Sequence, residues 1–320
     1  MNANISLVVH FLCIVSVATL SFAATCVVMA RPFLRWANGF EPGSRIVLLR
    51  LFAAWPLLGG LAIGVMVSLP SLRHVSKLPL DHCHSTGGCL GPTGVHMLTI
   101  GELGIAIVLL AVLAQVVCKA VRHWRRVRVL VERIDRASHA RLAPGIQLIE
   151  SSKSLAFSLG LSKSFAVLST ELVRALAPSQ LTIICAHERI HLRYHDNWYK
   201  WVLQMLCGFQ FPRVKNTLLS EHAVALELRA DQQVAQHTQD RIAVAETIIA
   251  VQRLMKPLSA SEPLCQFMGT AVERRVQSLL AQSRGCSLPK YFTVFVSLIA
   301  IILFIGGASP LHDALESLLT

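Results

Sequence analysis

A chain of 320 residues with 53% hydrophobic and 15% charged residues and a mean hydropathy of +0.55 is too apolar for an ordinary soluble protein and excludes intrinsic disorder. Nine cysteines scattered through long apolar stretches do not make a small secreted disulfide scaffold. The formal charge of +12 lies beside apolar spans, so it reads as a membrane-topology signal and no direct nucleic-acid partner is expected.

Crossing a bilayer as a helix takes roughly 20 apolar residues, and four segments meet that length: Ile5–Ala30, Leu51–Leu69, Met97–Cys118 and Tyr291–Ala308. The first has no Lys or Arg before its apolar run, unlike a secretory leader, and is read as a retained span. Arg31, Arg35, Arg45 and Arg50 follow it, and a run from Lys119 to Arg141 follows the third span. The 70–96 loop holds only Arg73 and Lys77. Cytoplasmic loops carry the Lys/Arg excess. The expected layout is therefore a membrane domain over 1–118 with spans 5–30, 51–69 and 97–118 and an outer loop 70–96. A cytosolic domain over 119–290, a fourth span 291–308 and a short outer tail 309–320 follow. The basic run after the third span also attracts anionic membrane lipids.

Within 119–290 a helix over 119–140 is expected to continue the third span and stop before Pro144-Gly145. Short strand-like runs at 145–150, 155–159 and 164–168 suit a small sheet of two or three strands. A brief helix over 171–176 ends at Ala177-Pro178, and Ser179 is placed to cap a longer helix through His191. Further helices are expected at 197–209, 216–237, 240–255 and 270–282. The fold class is thus a four-span α-helical membrane protein with a mostly α cytosolic domain containing a small sheet.

The informative residues are His187-Glu188-Arg189-Ile190-His191. Histidines four apart on a helix stand about 6 Å apart along its axis on one face, so both imidazoles can reach one ion at a Zn–N distance of about 2.1 Å. Glu188 then lies toward the open side of a metal, where a carboxylate takes a proton from bound water and passes it to a leaving amine. Composition alone gives about 0.02 chance occurrences of this motif per chain, against the plain alternative of two surface histidines.

The third ligand is sought downstream. His195 sits about 12 Å beyond His187 on a continuous helix, too far to share the ion, and is read as a polar surface or interface residue. Glu227, 36 residues after His191, is the better candidate. Asp231, one turn later, is placed to orient a ligand histidine through its other ring nitrogen. Glu221 and His222 compete but lack such a partner. Arg274-Arg275 are read as facing lipid phosphates rather than an oxyanion.

His187-Glu-x-x-His191 followed by Glu227-x-x-Ala-Asp231, preceded by Ser164–Leu168 and Glu171-Leu-Val-Arg-Ala-Leu, resembles the gluzincin membrane peptidases. The chain is most similar among them to the β-lactam-sensing antirepressor peptidases. The resemblance implies a cytosolic zinc peptidase domain between the third and fourth spans, with His187, His191 and Glu227 as zinc ligands, Glu188 as base and Asp231 supporting a ligand. It also implies a bacterial cytoplasmic membrane, and a cytosolic protein substrate such as a winged-helix repressor. Antibiotic sensors of that group carry a penicillin-binding domain after the fourth span, whereas this sequence runs twelve residues past Ala308, so a β-lactam is not the expected signal.

The 70–96 loop offers His82, Cys83, His84, Cys89 and His96. In an oxidising compartment Cys83 and Cys89 suit a disulfide, and His82, His84 and His96 suit a copper or zinc sensor. Glu102 within an apolar span is a functional candidate by default. An extended substrate is expected to dock on a sheet edge, at 155–159 or 164–168. A regulatory endopeptidase is the leading expectation; membrane-protein quality control and a catalytically idle metal-sensing receptor are the alternatives.

Overall fold

The computed structural model describes residues 3–68, 100–138, 140–161, 164–255, 263–281 and 285–288. The outer loop with His82, Cys83, His84, Cys89 and His96, the expected fourth span 291–308 and the tail 309–320 lie outside them.

The described chain is mostly helical, with three helices long and apolar enough to cross a membrane. These are α1 (Ala3–Ala37), α2 (Pro42–Ser68) and α3 (Ile100–Ala137). Each outruns its expected span at the basic end. α2 starts at Pro42, whose fixed φ suits a first helical turn, and so takes Arg45 and Arg50 into the helix. α1 and α2 pack through glycines: a Cβ at Gly59 would lie 2.6 Å from the Phe22 ring, and one at Gly60 would lie 2.9 Å from the Thr19 backbone nitrogen. Gly64 similarly faces Val15 and Phe11. Small residues spaced four apart let membrane helices approach backbone to backbone. Glu102 near the start of α3 meets His10 of α1, Oε1 to Nδ1 at 3.0 Å, which gives this acid a partner in the neighbouring span.

After α3 the chain forms four strands, β1 (Ala140–Ala143), β2 (Ile146–Ile149), β3 (Ala156–Leu159) and β4 (Phe165–Ser169), in the order β1-β2-β4-β3. β1 corrects the expected helix, which stops at Ala137. Its sequence lacks β-branched residues and is strand only because it lies antiparallel to β2. β2 and β4 are parallel and β3 runs antiparallel to β4. Segment 164–168, one of two expected docking edges, is therefore interior, and the other, β3, is an edge strand, as is β1. Gln147 of β2 donates to Asp135 Oδ1 at 2.8 Å, tying the sheet to the end of α3.

The remaining helices are α4 (Thr170–Ala175), α5 (Pro178–Arg193), α6 (Asp196–Leu206), α7 (Pro212–Thr238), α8 (Arg241–Leu254) and α9 (Pro263–Leu280). A 3₁₀ turn, Cys207–Phe209, links α6 toward α7. Ser169 caps α4 by accepting from the Leu172 amide at 3.2 Å. Ser179 does not cap α5 as expected: Pro178 begins that helix, and Gln180 Oε1 accepts from the Ala177 amide at 3.2 Å.

Three apolar clusters join these elements. Ile146, Leu168, Leu172 and Ile184 seat α4 and α5 on the sheet. Ile183, Val234, Val244 and Leu279 join α5, α7, α8 and α9. Ile46, Leu49 and Ala53 of α2 pack with Leu203, Leu218 and Leu226 of α6 and α7, each fully buried leucine contributing about 1.5–3 kcal/mol. The second span is thus continuous with the core of the helical domain. Segment 285–288 returns to the α1–α2 turn, where Glu41 donates its amide to the Cys286 carbonyl at 3.1 Å and the Leu288 amide donates to Ser44 Oγ at 3.0 Å.

Because α1 and α2 touch at Gly60, Gly60→Val is expected to destabilise the detergent-solubilised chain by about 1–3 kcal/mol. Gly104→Ala, where a Cβ meets nothing within 4 Å and Ala is the better helix former, does not lower its thermal stability.

Candidate metal centre

The site lies where α5 crosses α7. His187 and His191 stand one turn apart on α5, and Glu227 reaches them from α7. His187 Nε2 lies 3.1 Å from His191 Nε2 and 3.2 Å from Glu227 Oε2, and His191 Nε2 lies 3.5 Å from Glu227 Oε1. Three atoms around a tetrahedral ion at about 2.1 Å would be about 3.4 Å apart, so these residues fit a zinc ion. Among the described residues they are the group of His, Cys, Asp and Glu able to hold a metal.

Each imidazole is held through its other nitrogen. His187 Nδ1 meets Asp231 Oδ1 at 3.1 Å, the contact anticipated for that carboxylate. His191 Nδ1 meets Asp196 Oδ2 at 2.7 Å, a partner the spacing did not suggest. Asp196 opens α6 after His195, whose left-handed backbone (φ 51°) turns the chain back toward α5. A non-glycine residue at positive φ is uncommon and is held by its surroundings. His195 is exposed and outside the ligand group. It stays off the metal because α5 ends at Arg193, not because a continuous helix carries it away.

Two arginines brace these carboxylates. Arg275 of α9 donates to Asp231 through Nε at 2.7 Å and Nη2 at 2.8 Å, and its Nη1 lies 3.3 Å from Glu227 Oε2. The expectation that Arg275 faces lipid phosphates is overturned, since two buried or half-buried carboxylates capture it. Arg274 instead pairs with Glu221 at 3.1 Å, and Glu221 also pairs with Arg45 of α2. Arg229 Nη2 lies 2.6 Å from both oxygens of Asp196. Glu221 and His222 do not join the ligand group.

Charge follows from this packing. Burial opposes a proton on His187, but the hydrogen bonds to Asp231 and Glu227 outweigh it and push its pKa up to about 10. Burial alone would raise the Glu227 carboxyl, yet the His187 hydrogen bond and the Arg275 charge hold it well below the usual carboxylate range. Asp231 is lowered in the same way, chiefly by Arg275 against burial. The proton His187 holds is one a divalent cation would displace.

Glu188 is 7% exposed, and its Oε2 is buried with no hydrogen-bond partner among the described residues. It lines a cavity of about 460 Å³ with His187, His191, Glu227 and Arg275. Ala156, Phe157 and Ser158 of the edge strand β3 form one wall, and Val244, Ile248 and Val251 of α8 form another. An extended chain entering this cavity meets an unpaired strand edge, an apolar wall and a carboxylate beside the ligand group.

The family model described as BlaR1 peptidase M56 matches residues 93–279, more than half of the chain. A comparison with curated proteins finds no match.

Asp196→Asn removes the charge that orients His191 and is expected to weaken zinc binding about 10–100-fold in a chelator-competition titration. A second expectation concerns His222, 1% exposed, whose Nε2 accepts from Arg50 Nε at 3.2 Å. Burial, and then the Arg50 charge, bring its pKa down from 6.5 to about 3. Its contribution to stability is fully present above pH 6.5 and is lost as pH falls toward 3. His222→Gln should flatten that part of the thermal stability profile.

Proposed function

The chain belongs to the BlaR1 peptidase M56 family, and from that membership of a group of membrane metallopeptidases we propose a zinc endopeptidase that cleaves a cytosolic regulatory protein in response to an envelope signal. The single observation that carries this reading is the convergence of two imidazoles and the Glu227 carboxylate beside a buried, unpartnered Glu188 oxygen. When bound, zinc supplies Lewis-acid polarisation of a carbonyl and a water with its pKa lowered from about 15.7 to about 7. His187, His191 and Glu227 hold the ion. Asp231 and Asp196 fix the imidazole tautomers with the Nε2 atoms directed inward. Glu188 takes the proton from the attacking water and delivers it to the leaving amine. β3 holds the extended substrate backbone, and α8 takes its apolar side chains.

The Lys and Arg distribution supports an orientation with 119–290 in the cytosol, the apolar run 291–308 supports a fourth span, and the likeness to the antirepressor peptidases supports a bacterial inner membrane. A winged-helix repressor is the proposed substrate, on the likeness to the antirepressor peptidases. The 70–96 loop is the proposed receiver of the signal, through a Cys83–Cys89 disulfide or a metal held by His82, His84 and His96.

Glu188→Gln is expected to keep zinc and to slow cleavage about 10²–10⁴-fold. The decisive measurement maps new protein N-termini in cells expressing either the native chain or Glu188→Ala at matched levels. A Glu188-dependent cut in one DNA-binding repressor supports the regulatory reading, and cuts spread over many membrane proteins replace it with quality control. No difference between the two chains under any stimulus overturns the peptidase reading in favour of a catalytically idle receptor.

A further inference from the structure

A second cavity, about 560 Å³, opens between the first three turns of α2, the corner joining α5 to α6, and α7. It shares no lining residue with the cavity at the metal ligands. Arg50, Arg193, Arg229 and His195 line it, and Glu41 is the acidic residue in its wall.

Its positive charge is only partly answered. Arg229, 9% exposed, is paired with Asp196, but its Nε is buried without a hydrogen-bond partner. Arg50 donates through Nε to His222, and its Nη2 is buried without a partner. Neither Arg50 nor Arg193 makes an ion pair with a described carboxylate. Tyrosine faces hold the guanidinium groups in place: Arg50 lies 3.9 Å from the Tyr199 ring centroid and Arg229 lies 4.1 Å from that of Tyr194. A guanidinium N–H withdrawn from water without an acceptor is costly, and this cavity gathers three arginines against a single lining carboxylate, a charge balance that an anion completes. The depth of the cavity suggests the source of one. Arg50 immediately precedes the apolar stretch that starts at Leu51, so the cavity lies where α2 enters the bilayer, at the level of lipid headgroups.

We propose that this cavity binds a phosphate-bearing anion, supplied by the headgroup of an anionic phospholipid. Phosphate oxygens accept from the guanidinium groups of Arg50 and Arg193 that line the cavity, while Arg229 stays paired with Asp196 and adds its charge to the same wall. Arg229 also clamps Asp196, the residue that orients His191. Occupancy therefore holds α2 against the α5–α6 corner that supports one candidate zinc ligand. The binding site itself does not rest on the peptidase reading; its placement in the cytoplasmic leaflet does rest on the orientation proposed above.

The test uses the full chain in a non-ionic detergent, with short-chain phosphatidylglycerol as probe, short-chain phosphatidylcholine as the zwitterionic control and inorganic phosphate as the soluble source. Saturable binding of phosphatidylglycerol without comparable binding of phosphatidylcholine is expected. Arg193→Gln should weaken it by about tenfold or more, the loss of one charge-assisted hydrogen bond. Gly43→Asp should do the same by placing a carboxylate in the cavity. Arg193 is exposed and a Cβ at Gly43 meets nothing within 4 Å, so both variants retain the fold. Arg125→Gln, on the exposed flank of α3, should leave the saturable component unchanged. Displacement by inorganic phosphate identifies a site that also accepts the free ion, and resistance to it identifies a lipid site; both support the proposal. Absence of saturable binding overturns it. So does binding that Arg193→Gln and Gly43→Asp leave intact while Arg125→Gln reduces it. Neither zinc nor cleavage enters the readout, so failure here leaves the peptidase reading standing and failure of that reading leaves this one.

Discussion

One buried carboxylate holds the centre together. Asp231, 1% exposed, takes two hydrogen bonds from Arg275 of α9 and meets His187 of α5 while standing on α7. Burying the pair carries a large desolvation penalty, which the two parallel hydrogen bonds offset. Removing either partner would leave a buried charge only partly answered, Arg275 by Glu227 or Asp231 by His187. Through His187 this contact adds to the apolar packing of Ile183 with Val234 where α5 crosses α7, beside the convergence of His187, His191 and Glu227.

A parallel arrangement supports the other imidazole. Asp196 binds His191 on one side and Arg229 on the other, so each candidate ligand histidine rests on a carboxylate that in turn rests on an arginine. The two supports come from different directions. Arg275 belongs to the last described long helix, and beside it Arg274 shares Glu221 with Arg45 of the membrane helix α2. Arg229 faces a cavity that Arg50 of the same helix also lines. With Ile46 and Leu49 packed against Leu218 and Leu226, displacement of α2 would act on both supports through packed side chains. The cavity at the ligand group takes further walls from β3 and α8, with Arg275 and Asp231 also in its lining.

Much of this was legible in the residues, and the failures have physical causes. His187 and His191 could be assigned a common face because a helix maps spacing four onto neighbouring positions, and Glu188, three residues before His191, flanks that face. Glu227 and Asp231 obey the same periodicity on α7. Asp196 escaped because five residues beyond His191 on a regular helix it would point to another face; the left-handed turn at His195 brings it back. Arg275 escaped because an Arg-Arg pair on an amphipathic helix reads as a solvated or lipid-facing flank until its partner is known. β1 escaped because Ala-Arg-Leu-Ala has no strand pattern of its own and borrows its conformation from β2.

The sequence by itself determined the membrane character, three of the helices that can cross a bilayer, and the donor set of the candidate metal centre, because hydropathy and helical periodicity are local properties. Only the tertiary structure decided which carboxylate orients which imidazole, that β3 rather than β4 is the open edge, and that α2 is part of the domain core. Those outcomes depend on where separate elements meet, and a buried arginine chooses its partner by the geometry of that meeting rather than by its position in the chain.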